Sequence, residues 1–233
     1  MRRIAIIPAR GGSKRIPKKN IKPFLGKPII AYSIEVALNS GLFDEVMVST
    51  DDEEIMKIAK ELGAFVPFVR SESNANDTAT LAEVIEEVIL LYKEQGNSFD
   101  QYCCILATAP FINENRLKES FDLLNEKGYK TVFPVLNFSY PTQRALQIDN
   151  ENKVSMVNPE NLTVRSQDLT PTYHDAGQYY CGNVADFEND KALFTDNSGC
   201  IQLGELEVQD IDTPSDWEMA EIKYKILKNK THE

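Results

Sequence analysis

The chain has 233 residues, 42% of them hydrophobic, enough for one sizeable α/β core that needs no covalent staples. Its net charge of −11 argues against a nucleic-acid track. No apolar run approaches the roughly 20 residues that span a bilayer, and the N-terminus lacks the basic-then-apolar layout of a secretory signal, so a cytoplasmic protein with neither membrane nor nucleic acid as partner is expected.

Arg3 to Pro8 (RIAIIP) has the pattern of a buried parallel strand running into a glycine-containing loop, Ala9 to Lys19. Ile30, Ile34, Ala37 and Leu38 recur at helical spacing before Gly41, Glu45 to Ser49 is a strand, and Asp52 to Leu62 is a helix closed by Gly63. Leu81, Val84, Ile85, Val88 and Leu91 mark a long amphipathic helix. Cys103 to Ala107 is a buried strand, Asn113 to Lys127 a helix and Thr131 to Leu136 a strand. From Asn137 to Asp175 the pattern dissolves into polar sequence too long for an ordinary loop, which predicts a lid or dimerisation arm inserted into a single domain spanning residues 1–233. Tyr179–Ala185, Cys200–Leu203 and Glu207–Asp212 return as strands, and a last helix from Pro214 to Leu227 puts Trp217, Ala220, Tyr224 and Leu227 on one face. The alternation predicts an α/β fold, a doubly wound, mostly parallel, Rossmann-like sheet with helices on both faces. Cys103, Cys104, Cys181 and Cys200 lack zinc-type spacing and are expected to be reduced and mostly buried.

Charge is unevenly spread. Residues 1 to 34 hold nine Lys or Arg and no acid, leaving 16 bases against 36 acids, a balance of −20, for the rest. One basic segment in an acidic chain suggests a local anion site, and the loop after the first strand is where an α/β sheet binds phosphate. Gly11 and Gly12 let the backbone approach an anion, and Arg10, Lys14, Arg15 and Lys19 supply charge for a polyphosphate. The loop is neither a Walker P-loop nor a dinucleotide Gly-x-Gly-x-x-Gly. A solvated basic loop without a ligand is the competing reading.

Asp210 and Asp212, placed two apart on a strand, would point to one side roughly 6.5 to 7 Å apart and could share one Mg2+. The alternative is a cap for the last helix, with Asp212 or Thr213 as N-cap and Pro214 in the first turn. Asp51 and Asp52 are secondary candidates for the metal, since an acidic pair opening the helix at Glu53 is ordinarily a cap responding to the helix dipole. His174 beside Asp175 can be a hydrogen-bonded structural histidine or a base.

Pro8-Ala-Arg-Gly-Gly-Ser-Lys14 followed by Lys19-Asn20 resembles the CTP-binding signature of the sialic-acid type cytidylyltransferases. The resemblance extends to Gly26-Lys27-Pro28, Ser49-Thr-Asp-Asp52, Arg165-Ser-Gln-Asp-Leu169 and Asp210-Ile-Asp212. It implies a nucleotide-diphospho-sugar transferase type of sheet and CTP bound by Ala9, Arg10, Gly11, Gly12, Ser13, Lys14, Lys19, Asn20, Arg70, Asp77 and Thr78. It also implies Arg10, Lys19, Asp210 and Asp212 as catalytic residues, with Asp210 and Asp212 holding magnesium. Ser13-Lys-Arg-Ile-Pro17 and Asp77-Thr-Ala-Thr80 resemble the pseudaminic-acid branch. Leu106 stands where sialic-acid enzymes typically have a sugar-contacting Gln, and Asp175-Ala-Gly-Gln-Tyr-Tyr180 replaces an Asn-Gly-Ala-containing segment. Leu106, Gln178 and Tyr180 are therefore expected at a nine-carbon acidic sugar, although strand packing would equally explain the tyrosine. Ser166 stands where the family often has a second arginine. The irregular segment matches the arm of a swapped homodimer, in which Arg165 reaches the partner's site; a lid over its own site would look the same in sequence.

The resemblance implies transfer of CMP from CTP to the anomeric hydroxyl of pseudaminic acid, with release of pyrophosphate. A CMP-N-acetylneuraminate or CMP-legionaminate synthetase is the near alternative. A nucleotide-binding module without catalysis is the alternative of another class.

Overall fold

The computed structural model describes residues 1–230; residues 231–233, the end of the expected single domain, lie outside the described residues. In β1 (Arg3–Pro8) Ile4 and Ile6 join one apolar cluster and Ala5 and Ile7 another, all fully buried, so this strand needs cover on both faces. A tight hairpin follows, β2 (Pro23–Phe24) and β3 (Lys27–Pro28), then α1 (Ile30–Asn39), β4 (Glu45–Ser49), α2 (Glu53–Glu61), α3 (Glu72–Ala75) and α4 (Leu81–Glu94). Next come β5 (Gln101–Ile105), α5 (Glu114–Lys127), β6 (Thr131–Asn137), a small outlying hairpin β7 (Leu146–Ile148) and β8 (Val154–Met156), and β9 (Tyr173–Asp175). The chain finishes with β10 (Tyr179–Asn183), α6 (Val184–Asp190), β11 (Ser198–Leu203) and α7 (Pro214–Lys230).

The main sheet runs β11-β6-β10-β5-β1-β4, with β9 also on β6. β1 is parallel to β4 and β5, and β11 to β6, whereas β10 is antiparallel to both neighbours. The reversal has a topological cause. The chain leaves β6 into the arm and returns through β9, antiparallel to β6 with Asn137 opposite Tyr173, so no helical crossover restores the parallel direction. α1, α2 and α5 cover one face through Ile34, Ile55 and Phe121, and α4 and α6 cover the other through Val88 and Phe187. Helix signals are local: Thr80 and Glu83 form a capping box for α4, and Gly128 at φ 66° closes α5.

α7 lies over a third cluster, where Trp217, Ala220, Tyr224 and Leu227 meet Phe24 of the hairpin. Phe24, Tyr32 and Tyr224 stack edge to face at 5.3 to 5.7 Å. The hairpin turn has Leu25 at φ 47° and Gly26 at φ 100°, the left-handed pair that a two-residue connection demands.

Three sequence expectations need correction. The strand after α4 ends at Ile105 rather than Ala107; one last bond of its ladder with β10, from the Leu106 N–H to the Gln178 carbonyl (2.8 Å), lies just beyond it. Val184 and Ala185 start α6 instead of extending a strand. Residues Glu207–Asp212 form no strand, because the 3-10 turn at Glu205–Glu207 carries the chain off the β11 edge. Val208 behind it is extended, and the segment is anchored by Ile211, 1% exposed.

Candidate active site

A cleft of about 310 Å³ opens where β1, β4 and β5 end, the edge at which an open α/β sheet receives ligands. Its basic wall is the loop after β1. Ala9 is buried and prolongs the β1–β4 pairing, its N–H donating to the Ser49 carbonyl at 2.9 Å. Gly11 then passes so close to Asp52 that a Cβ there would stand 2.6 Å from Oδ2, and its N–H donates to Asp51 Oδ1 at 3.1 Å. Asp52 is the N-cap of α2, as its place in the sequence suggests, accepting from the N–H groups of Glu54 (2.9 Å) and Ile55 (3.0 Å). The Ser13 N–H turns back onto the Gly11 carbonyl at 3.0 Å. The Gly11 and Ser13 amides thus serve the loop's own geometry. Asn20 closes the loop through Nδ2 to the Arg10 carbonyl at 2.9 Å.

Two carboxylates hold four of the loop's five cations, and the fifth, Lys18, pairs with Glu54 of α2. Arg10 Nη1 lies 2.7 Å from Asp77 Oδ1, and Lys14 pairs with the other oxygen of the same carboxylate. Arg15 Nη2 lies 2.8 Å from Asp212 Oδ1, while Lys19 Nζ donates to the Ile211 carbonyl at 2.7 Å and stands 3.6 Å from Asp212. Arg70 forms the back of the cleft, 6% exposed, with Nε donating to Ser49 Oγ at 2.9 Å and Nη2 to the Ser49 carbonyl. Burial lowers its pKa against the opposing fields of Asp51 and Glu87. Glu87 of α4 fixes the loop beyond Arg70 by accepting from Ser71 N and Asn74 Nδ2, each at 2.9 Å.

The cap and metal readings of Asp212 separate here. Thr213 and Asp216 cap α7 reciprocally: Asp216 Oδ2 accepts from Thr213 N at 2.7 Å, and Thr213 Oγ1 accepts from Asp216 N at 3.3 Å. Asp212 contributes only a backbone N–H to that cap, at 3.1 Å, so its carboxylate is free to face the cleft. Loss of water and the charge of Asp212 together raise the pKa of Asp210, with Lys19 opposing.

Arg10, Ser13, Lys14, Arg15, Lys19, Asn20, Arg70, Asp77, Leu106 and Asp212 all line the cleft. Other expected residues, Asp210 among them, are not part of its lining. Thr78 donates both N–H (2.8 Å) and Oγ1 (2.7 Å) to Asn76 Oδ1, an Asx turn that uses up its polar groups. Gln178 is 4% exposed and its Nε2 donates to the Glu207 carbonyl at 2.6 Å, so its side chain braces the chain behind the cleft. Tyr180 Oη donates to Asp175 Oδ2 at 2.6 Å. His174 keeps Nδ1 on the Asp175 carbonyl at 2.8 Å, the structural arrangement. Arg165 sits in the arm at the start of a 3-10 turn, outside the cleft. Sequence reasoning missed Glu87, Asn76 and Thr108; the Asn-x-Thr spacing and the Thr80-x-x-Glu83 box were the signals for a shaped loop around Asp77. A second groove of about 730 Å³ runs past Lys27, Glu35, Arg116 and Glu207, but these charges already pair with one another.

An acid-edged, polybasic cleft at the strand ends of a mostly parallel sheet defines a nucleotidyltransferase type of site. The chain belongs to the cytidylyltransferase family, whose profile matches residues 4–229. Over 226 residues, 97% of each chain, it is 45% identical to the pseudaminic acid cytidylyltransferase of Campylobacter jejuni strain 81-176. It is 32% identical, over 95% of each, to the CMP-N,N'-diacetyllegionaminic acid synthase of Legionella pneumophila. The solved CMP:2-keto-3-deoxy-manno-octonic acid synthetase, complexed with CTP, shares the fold with a TM-score of 0.71 at 16% identity, covering 98% of this chain and all of the other. No helix among the described residues is long and apolar enough to cross a membrane.

Proposed function

We propose that the chain transfers CMP from CTP to the anomeric hydroxyl of pseudaminic acid and releases pyrophosphate. The observation that carries this reading is the convergence of Arg10, Lys14, Arg15 and Lys19 on one cleft that Asp212 also lines. The choice of sugar is supported by the 45% identity to the Campylobacter enzyme over 97% of both chains.

In this reading Arg10, Lys14, Arg15 and Lys19 bind the phosphates and offset charge growing on the leaving pyrophosphate. Ala9, Gly11, Gly12 and Asn20 set the path of the loop, and Ser13 and Arg70 add polar contacts to the nucleotide. The sugar hydroxyl attacks the α-phosphorus as the bond to the pyrophosphate oxygen breaks, and positioning supplies much of the acceleration. Asp210 and Asp212 would hold magnesium: both are hard oxygen donors two residues apart, and burial together with the charge of Asp212 opposes ionisation of Asp210. Magnesium takes one or two carboxylates and completes its shell with water and phosphate. When bound, it would stabilise charge on the α-phosphate and on the departing group.

Leu106 and Tyr180 are assigned to the sugar. Gln178 supports them from behind, since its carbonyl accepts the Leu106 N–H at 2.8 Å. The arm displays exposed Leu146, Ile148, Val154 and Leu162, apolar surface that a second copy would cover, and this homodimer would carry Arg165 to the partner's cleft. We place the reaction in the cytoplasm, where CTP is made. The test is pyrophosphate release with CTP and magnesium, comparing pseudaminic, N-acetylneuraminic and legionaminic acids. Release confined to pseudaminic acid supports the full reading, preference for another acid removes the sugar assignment, and no release with any acid removes the reaction. Light scattering at micromolar concentration checks the dimer, and a monomer mass would refute it.

A further inference from the structure

The mouth of the cleft is crossed by an ion-pair bridge that sits badly with a role in holding a nucleotide's phosphates. Asp77 offers only acceptor oxygens and a negative charge, so it would repel a triphosphate. Yet its two oxygens are taken by cations of the β1 loop, Arg10 at 2.7 Å and Lys14. Arg10 is further tied to the Asn76 carbonyl at 2.8 Å. Asp77 is held there from both sides. Asn76 Oδ1 gathers Thr78 N (2.8 Å), Thr78 Oγ1 (2.7 Å) and Ala79 N (2.9 Å), and the Thr80–Glu83 capping box anchors the residues beyond. The short loop between α3 and α4 therefore presents one carboxylate where a phosphate's counter-charges lie.

The geometry points to Asp77 as a resident counterion that occupies the Arg10–Lys14 phosphate subsite and gives way when a nucleotide triphosphate enters. This rests on the reading of the cleft as the CTP site. A triphosphate carries several charges against one and displaces the carboxylate from both cations. On departure of pyrophosphate the carboxylate returns, so Arg10 and Lys14 are not left facing one another unneutralised. Asp77 thus sets nucleotide affinity and product release without contacting the nucleotide; it is a positioning residue.

The test compares the wild-type protein with Asp77→Asn, Asp77→Ala and Asp77→Glu, each checked for an unchanged thermal melt. Calorimetric titration with CTP, and with inorganic triphosphate as a probe free of base and ribose, reads affinity; steady-state turnover with added pyrophosphate reads release. Exposed ion pairs of this kind are each worth a few-fold in an equilibrium. Asp77→Asn and Asp77→Ala should therefore lower both dissociation constants about three- to tenfold, deepen pyrophosphate inhibition by a similar factor and reduce kcat along with KM. Asp77→Glu, which keeps the charge, should stay near wild type. Weaker binding in the neutral variants would make Asp77 a direct nucleotide contact and overturn the proposal, as would unchanged binding. A wild-type protein that binds neither probe would instead remove the CTP reading on which the proposal rests.

Discussion

Replacing Asp212 by Asn separates chemistry from folding, because the structure assigns its carboxylate no part in the α7 cap. What is lost from the fold is an ion pair with Arg15, whose side chain is 66% exposed, and a looser one with Lys19 at 3.6 Å. Such pairs contribute about 0–1 kcal/mol, which for a chain of this size lowers the melting temperature by no more than about 2–4 °C. Thr213 and Asp216 keep the helix start intact. Turnover should respond on another scale. Losing a carboxylate that organises charge on the reacting phosphate corresponds to about 3–4 kcal/mol of barrier, or about 10²–10³ in kcat. The assay is pyrophosphate release with CTP, magnesium and pseudaminic acid, run beside a circular-dichroism melt. A variant that keeps activity within about threefold of wild type would refute the metal role of this residue, whatever its stability.

Gly11→Ala places a methyl group 2.6 Å from Asp52 Oδ2, so either the loop or the α2 cap must shift; we expect about 1 kcal/mol of destabilisation from the cap and a raised KM for CTP, and an unchanged KM would show that the loop tolerates the shift. Glu207 accepts from Arg116 through Nε and Nη2, both at 3.2 Å. Burial alone would raise the Glu207 pKa, but Arg116 and the Gly204 N–H hold it below the usual glutamate value. A depressed folded-state pKa means stability that is present above the unfolded value and lost as pH falls through the folded one. Glu207→Gln should therefore melt a few degrees lower at neutral pH, and its gap to wild type should close between about pH 5 and pH 3; a gap constant across that range would contradict the assignment. The thiols supply a check on the core. Cys103 and Cys181 lie buried with sulfurs 3.3 Å apart, burial pushes Cys104 up to about 12, and Cys200 is exposed. Ellman's reagent should titrate one thiol in the native protein and all four after denaturation, and two fast native thiols would disprove this packing.

Much of the architecture was legible because it is local. The run from Arg3 to Pro8, the Asp52 cap, the spacing of Trp217, Ala220, Tyr224 and Leu227, and the dense cations of residues 10 to 19 each state their role within one turn or one strand. The misread parts depend on distant partners. Residues 207–212 carry the apolar Val208 and Ile211 of a short strand, yet whether they pair is decided by the turn at Glu205, which carries them away from β11. Gln178 carries no local mark of its bond to the Glu207 carbonyl, 29 residues away. The partners of the loop cations, Asp77 and Asp212, come from segments about 60 and 200 residues downstream, so charge composition reveals an anion site but not which acids already occupy it.

The placement of β10 has a consequence for how the molecule is made. A strand formed by residues 179–183 sits between β5 and β6, so during synthesis those two strands must wait, with unpaired edges, for a piece of chain some 40 residues past the end of β6. Unpaired edges invite association with other chains, and contacts of such long sequence separation slow folding. A growing chain stopped before Tyr179 would hold the β5-β1-β4 sheet and β6 with β9, with nothing between them. The phosphate loop and Asp77 then belong to one half, and Asp212, which completes the cleft, has not yet emerged. Pairing of β10 is therefore the step that joins the two parts of the sheet, and it comes only once the whole arm has been made.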